Sequence, residues 1–103
     1  MVTPISFRLA VPDEILADLQ DRLARTRWPD EPPLEPWSTG TNVGYLKELV
    51  AYWRDGFEWR TQEAKLNHFR QFKIPLADIE LHFIHEEGKG PKSVPLLLSH
   101  GWM

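Results

Sequence analysis

The chain has 103 residues, a formal net charge of −3 and no cysteine. This length allows one domain at most, and the charge balance provides no basic surface of the kind that binds nucleic acid or an anionic membrane. Without cysteine there is no disulfide and no thiolate metal site. No stretch approaches the roughly 20 apolar residues of a membrane-spanning helix, and the first residues lack a signal-peptide pattern, which predicts a soluble, cytoplasmic protein.

The start of the chain predicts a short strand and then a helix. Alternating apolar residues at positions 5, 7 and 9 are typical of an extended edge segment. Apolar residues at helical spacing predict an amphipathic helix over about 12–26, with Pro12 at its first position. The surface of this helix carries two i,i+4 ion pairs, each worth only about 0.2–0.5 kcal/mol: Asp18–Arg22 and Asp21–Arg25.

Prolines dominate the next segment, 28–37. They exclude both a helix and a central strand there, because proline lacks the N–H donor and restricts φ. Two interpretations remain open: a solvated linker, or an extended meander in which Trp28 and Trp37 pack onto another surface. We favour the meander, since solvated linkers seldom carry two tryptophans.

Two further helices are predicted in the middle of the chain. Thr41 or Asn42 can cap the first of them, and Gly56 is a natural C-terminal stop. Its apolar stripe is most simply core or docking surface, and consists of Leu46, Leu49, Val50 and Trp53. A third helix is predicted over about 58–69, with a narrower stripe made of Trp59, Gln62, Leu66 and Phe69.

From residue 72 the hydrophobic period changes from helical to alternating. Segments 72–76 and 79–86 predict two strands joined by a hairpin turn at Ala77-Asp78. After a polar loop, the apolar run 94–98 predicts a third strand that is buried on both faces. Three helices followed by three strands is an α+β order, and it also fits a helical leader followed by the first strands of a larger sheet.

Several polar clusters suggest chemistry, but each has a simpler interpretation. His82 and His85 face opposite sides of a predicted strand and cannot share a metal ion. Ser99 and His100 are adjacent and diverge along an extended chain, which disfavours a nucleophile–base pair. The remaining clusters are interpreted as structural or solvated: His68, which has no zinc-binding pattern, the loop 88–93, which lacks phosphate-loop spacing, and the acidic pairs 30–31 and 86–87.

The last predicted strand runs directly into the turn His100-Gly101-Trp102. A strand that ends in a small-residue turn is a usual place for backbone N–H groups that hold developing negative charge. This turn resembles the oxyanion-hole motif of α/β-hydrolases, in the His-Gly-Trp-Pro form of the microsomal-type epoxide hydrolases, with Met103 in place of the proline. The resemblance continues in order along the chain, at 9–14, 25–30, 46–53, 59–67 and 81–86. Within it, residues 59–67 resemble the family signature Trp-Arg-x-x-Glu-x-x-Leu-Asn.

The resemblance implies an α/β fold and a division of the chain. The expected architecture is a helical N-terminal leader followed by the first three strands of an α/β-hydrolase sheet. The leader, 1–71, is expected to wrap around the hydrolase core and its helical cap. Residues 72–103 are expected to begin that core and to leave it incomplete.

The resemblance also implies an activity, the hydrolysis of epoxides to diols through an ester on an Asp nucleophile. In the family order, the nucleophile, the His–acid pair that activates water and the cap tyrosines all lie downstream of the oxyanion turn. The chain is therefore expected to be the opening part of such an enzyme and inactive alone. Trp102 is expected to contribute its backbone N–H to the oxyanion hole, with His100 and Gly101 shaping the turn. No cofactor and no metal are expected.

The expected partners are the remainder of the core and cap, and an epoxide only in the complete enzyme. A homodimer is left open, and no nucleic acid or membrane partner is expected. The alternative is a stand-alone interaction module that docks on a partner hydrolase or self-associates through its aromatic meander and sheet edge. Another α/β-hydrolase, such as a dehalogenase or an esterase, accounts for the turn but not for the leader.

Overall fold

The computed structural model describes residues 1–102, which form three helices and one three-stranded antiparallel sheet. The elements in chain order are β1 (Ile5–Phe7), α1 (Asp13–Ala24), α2 (Val43–Asp55), α3 (Trp59–Leu66), β2 (Gln71–Leu76) and β3 (Ile79–Ile84). The chain divides into two compact units. The helical unit is Leu9–Ala64, and the sheet unit is Met1–Arg8 together with the chain from Lys65 onward.

Helix α1 forms as its pattern predicts, but it is shorter than 12–26. Pro12 is the N-cap, one position before the first helical residue, and its carbonyl accepts from the N–H of Leu16 at 3.3 Å. Asp13 and Glu14 then lie in the first turn, where a negative charge favours the helix dipole. Both predicted i,i+4 ion pairs are present on its exposed face.

Helix α2 is capped by Asn42, one of the two predicted candidates. The side-chain Oδ1 of Asn42 accepts from the N–H of Tyr45 at 2.9 Å. Gly56 does end the helix, but its φ of −120° is not the left-handed conformation of a glycine stop. Space beside Gly56 is limited instead, because a Cβ there would lie 2.9 Å from Cδ2 of Tyr52 and the tyrosine ring would have to shift.

The proline-rich segment packs on α2 within the helical unit, as the meander interpretation predicts. The rings of Trp37 and Tyr45 have centroids 5.1 Å apart, and Nζ of Lys47 lies 6.0 Å from the Trp28 ring centroid. The carboxylate of Glu31 accepts from the N–H of Val43 at 2.6 Å. The segment is therefore held by its aromatic rings and by a carboxylate at the N-terminus of α2.

Helix α3 is shorter than the predicted 58–69 and buries a different residue from the predicted stripe. Its buried side chain is Glu63, whereas Leu66 and Phe69 are 40% and 49% exposed. The turn after α3 is closed by the N–H of His68, which donates to the carbonyl of Lys65 at 3.2 Å. The apolar periodicity was too weak here to indicate the face that packs, because a carboxylate occupies it.

The sheet has the order β1-β2-β3. Strands β2 and β3 pair from Gln71↔Ile84 to Leu76↔Ile79, so the predicted hairpin at Ala77-Asp78 is confirmed. Strand β1 pairs with β2 from Phe7↔Gln71 to Ile5↔Lys73. The predicted edge segment at 5–9 thus provides the third strand of this sheet.

The strand predicted at 94–98 does not form among the described residues. Residues 93–102 have no regular secondary structure, and Leu97 is 93% exposed. A strand needs a neighbour for its backbone N–H and C=O groups, and the described part of the chain pairs nothing with this run. Strand β3 likewise ends at Ile84, which leaves His85 and Glu86 beyond it.

Candidate functional site

The predicted oxyanion turn lies in an exposed part of the chain. His100, Gly101 and Trp102 have no regular secondary structure, and the Trp102 side chain is 91% exposed. Position 103, where the family motif has proline, lies outside the described residues. Oγ of Ser99 donates to the carbonyl of His100 at 3.5 Å, the long limit for a hydrogen bond.

The loop that leads to this segment is anchored by Arg70, just before β2. The N–H of Arg70 donates to Oε1 of Glu86 at 2.6 Å, and its guanidinium lies 2.9 Å from Oε1 of Glu87. The side-chain hydrogen bond from Arg70 lowers the pKa of Glu87, and the charge of Arg70 adds to the effect. The acidic pair 86–87 is exposed, as expected, and both side chains also contact Arg70 within the sheet unit.

The loop itself turns as predicted and contains no phosphate-binding geometry. Gly90 has a φ of +105°, a conformation that favours glycine, and a Cβ on Gly88 would lie 2.4 Å from Cβ of Ser93. A cleft of about 600 Å³ lies beside it and is lined by His85–Gly88 and Ser93–Leu96. Its lining combines the polar side chains of His85, Glu86, Glu87 and Ser93 with the apolar ones of Val94, Pro95 and Leu96.

His82 is a structural histidine, which confirms the simpler interpretation. The Gln71 side chain is buried and donates from Nε2 to the carbonyl of Leu66 at 2.7 Å. Its Oε1 therefore accepts from Nε2–H of His82, at 2.9 Å. The ring of Phe7 meets the His82 ring edge-on, with centroids 5.1 Å apart.

Glu63 is the residue that sequence reasoning missed. Its carboxylate is 11% exposed and accepts three hydrogen bonds inside the helical unit. The donors are the Val11 N–H at 2.8 Å, Nε1–H of Trp59 at 3.2 Å and the Arg60 guanidinium at 2.8 Å. The available signal was the Trp-Arg-x-x-Glu signature, whose three defined side chains all belong to this cluster.

An apolar groove lies between the helices of the same unit. It has a volume of about 770 Å³. Exposed aromatic and aliphatic side chains line it, among them Ile15, Leu49, Tyr52 and Trp53. Of the stripe predicted on α2, Leu49 and Trp53 line this groove and are 44% and 43% exposed, whereas Leu46 and Val50 are half-buried. In the described part of the chain the one buried apolar residue is Val43.

Within residues 1–102, no group of three or more His, Cys, Asp or Glu side chains is placed to hold a metal ion. None of the helices in the same range is both long and apolar enough to cross a membrane.

The order of the elements, the signature cluster on α3 and the final turn together define a class of protein. Residues 4–103 match the family model described as "Epoxide hydrolase N terminus". The chain belongs to this family.

Two relatives show how far the similarity extends. A protein from Stigmatella aurantiaca is 43% identical over 101 residues, which are 98% of this chain and 22% of the relative. Epoxide hydrolase 1 of Sus scrofa is 37% identical over 102 residues, covering 93% of this chain and 22% of that protein. The chain spans about a fifth of the length of these relatives.

Solved structures show the same fold. An Aspergillus niger epoxide hydrolase superposes with a TM-score of 0.69 at 29% identity, over 80% of this chain and 22% of that one. The juvenile hormone epoxide hydrolase of the silkworm Bombyx mori gives a TM-score of 0.76 at 24% identity, over 89% of this chain and 24% of that one. The helices and the sheet are therefore those of an epoxide hydrolase fragment with an α/β-hydrolase fold.

Proposed function

We propose that the chain serves as the N-terminal portion of an epoxide hydrolase and is catalytically incomplete alone. In this proposal residues 1–71 form the helical meander, and 72–103 begin the hydrolase core. The observation that carries it is the apolar run before the oxyanion turn, where Val94, Leu96 and Leu98 are 79–85% exposed. Such a run is stable only when other elements cover it, and the remainder of the hydrolase core is the partner that its relatives supply.

The chemistry assigned to the chain in this proposal is limited to one backbone donor. The complete enzyme opens the epoxide with an Asp nucleophile, and water activated by a His–acid pair hydrolyses the resulting ester. The N–H of Trp102 stabilises the negative charge that forms on the ester carbonyl oxygen when water attacks the ester carbon, while His100 and Gly101 shape the turn. An N–H without a nucleophile has no oxyanion to stabilise, so the chain alone is inactive.

A chimera tests this proposal. The chain replaces the corresponding N-terminal fifth of the Sus scrofa relative, and hydrolysis of styrene oxide to its diol is measured. We expect turnover by the chimera and none by the 103-residue chain. Turnover by the chain alone would refute catalytic incompleteness, and a folded chimera without activity would refute the assignment as a hydrolase portion.

Within the chimera, Trp102→Pro tests the oxyanion donor, because proline has no N–H. Losing one such donor typically reduces kcat by about 10²–10³-fold, and we expect a loss of this size. Trp102→Phe keeps the N–H and is the matched control. Equal losses in the two variants would show that the side chain matters and the backbone donor does not.

The alternative function is a stand-alone interaction module, a different class of protein. The apolar groove of the helical unit favours it, since Tyr52 and Trp53 are 57% and 43% exposed there. If the chain is such a module, we expect the isolated chain to melt cooperatively and to sediment as a defined oligomer. A monomer without a cooperative melting transition would contradict it.

A further inference from the structure

One polar cluster of the helical unit has no role in the proposed activity, and it surrounds Glu63. Its carboxylate is almost fully buried on α3 and receives hydrogen bonds from the Val11 N–H, the Trp59 indole N–H and the Arg60 guanidinium. Arg60 also forms an ion pair with Asp13, in the first turn of α1. These contacts join the segment before α1 to α3, although 52 positions separate Val11 from Glu63.

The carboxylate is built to remain ionised. The hydrogen bond from the Val11 N–H lowers the pKa of Glu63 most strongly, burial opposes it, and Arg60 and Trp59 lower it further. A buried Glu beside a tryptophan can serve as a general acid when its pKa is raised. Here the pKa is lowered, so Glu63 carries no proton to donate at neutral pH.

Helix α3 contributes one half-buried apolar side chain to the helical unit, Trp59, which lines the apolar groove together with residues of α1 and α2. Among the described elements, the helix pair in close contact is α1 with α2. Helix α3 buries no apolar residue, since Glu63 is its buried position. The Glu63–Val11 hydrogen bond and the Arg60–Asp13 ion pair therefore add polar contacts from α3 to the segment before α1 and to α1 itself.

We propose that Glu63 is an acid-sensitive latch: its ionised carboxylate holds the segment before α1 against α3, and its protonation releases that segment before the chain unfolds as a whole. A protonated carboxyl loses the charge-assisted bonds to Val11 and Arg60. Arg60 on α3 and Asp13 on α1 are the charged groups that the structure places around the latch. The folded-state pKa of Glu63 lies below the ordinary pKa of a glutamate, about 4.3. The latch is therefore closed above about pH 4.3, and it opens as the pH falls through the folded-state pKa of Glu63.

NMR of the ¹⁵N-labelled full chain tests the latch, since both of its N–H donors are direct reporters. Between pH 7 and pH 3, we expect the Val11 amide and the Trp59 indole resonances to shift together on a single titration curve. The indoles of Trp28 and Trp53 are internal controls, and they should move only when far-UV circular dichroism is lost. If all of these signals change together at global unfolding, the latch proposal is wrong.

Glu63→Gln removes the charge and places an amide N–H₂ among three donors. We expect hydrogen exchange at the Val11 amide to become about tenfold faster or more at pH 7, the size expected for a lost hydrogen bond to a charged group. Glu48→Gln on α2 makes the same change at an exposed carboxylate and should leave this exchange unchanged. Unchanged protection of the Val11 amide from hydrogen exchange in Glu63→Gln would overturn the proposal. If that variant does not fold, the NMR titration of the wild-type chain tests the proposal by itself.

Discussion

At the scale of single residues, Ala77 shows where a local conformation conflicts with its residue type. Its φ is +50°, in the left-handed region, at the first central position of the β2–β3 hairpin. Glycine is the preferred residue at this position of a two-residue hairpin turn, because a Cβ there costs roughly 1–2 kcal/mol. The register of the hairpin is maintained despite this cost by the pairing of β2 with β3 along six residues.

Ala77→Gly should therefore stabilise the protein. Relief of the left-handed strain exceeds the added chain entropy of glycine, about 0.5–1 kcal/mol, and we expect a gain of up to about 1 kcal/mol. Urea unfolding measures it as a higher midpoint at unchanged slope. Ala51→Gly, in the interior of α2, is the control and should have the opposite sign; a loss of stability in both variants would show that Ala77 is not strained.

At the scale of elements, the two ends of α2 are determined by specific side chains. At its start, Asn42 accepts from Tyr45 N–H and donates from Nδ2 to the Glu31 carboxylate at 3.1 Å. Glu31 also accepts from the Val43 N–H, so an acidic residue that seemed solvated satisfies a free backbone donor at the helix start. At its other end, the Tyr52 ring lies where a side chain on residue 56 would be, so a larger residue than Gly56 would have to displace that ring.

Asn42→Ala should destabilise the helical unit by about 0.5–2 kcal/mol, the usual effect of losing an N-cap. Thr41→Ala is the informative control, because Thr41 was the other candidate cap and makes no contact of this kind in the structure. We expect that change to stay within about 0.5 kcal/mol. Thermal melting followed by circular dichroism compares the two, and an equal or larger effect at Thr41 would reassign the cap.

At the scale of the whole molecule, the described chain exposes much of its apolar surface. The run from 94 to 98 projects its leucines into solvent, and the groove of the helical unit adds exposed aromatic rings. Contiguous exposed apolar surface usually marks an interaction site or causes aggregation. In the proposed function, the remaining hydrolase core covers the 94–98 run.

Leu97→Asp should reduce concentration-dependent association of the isolated chain without changing its stability. Leu97 is 93% exposed, and substitutions at such positions usually change the free energy of unfolding by less than about 0.5 kcal/mol. Sedimentation velocity and thermal melting measure the two effects separately. Leu46→Asp, at a half-buried position of α2, is the control that should lower stability, and a melting loss in Leu97→Asp would show that this run is already packed.

The sequence by itself determined the parts of this protein that depend on neighbours along the chain. Helices α1 and α2, the Asn42 cap and the Ala77-Asp78 hairpin follow from periodicity and turn chemistry, and the motif order was sufficient to indicate the family. Only the tertiary structure decided the rest: the pairing of β1 with β2, the burial of Glu63 and Gln71, and the unpaired state of 94–98. The physical reason is that strand pairing and carboxylate burial depend on groups far apart in the chain. Val11 and Glu63 are brought together by folding, and nothing local to either residue indicates that they meet.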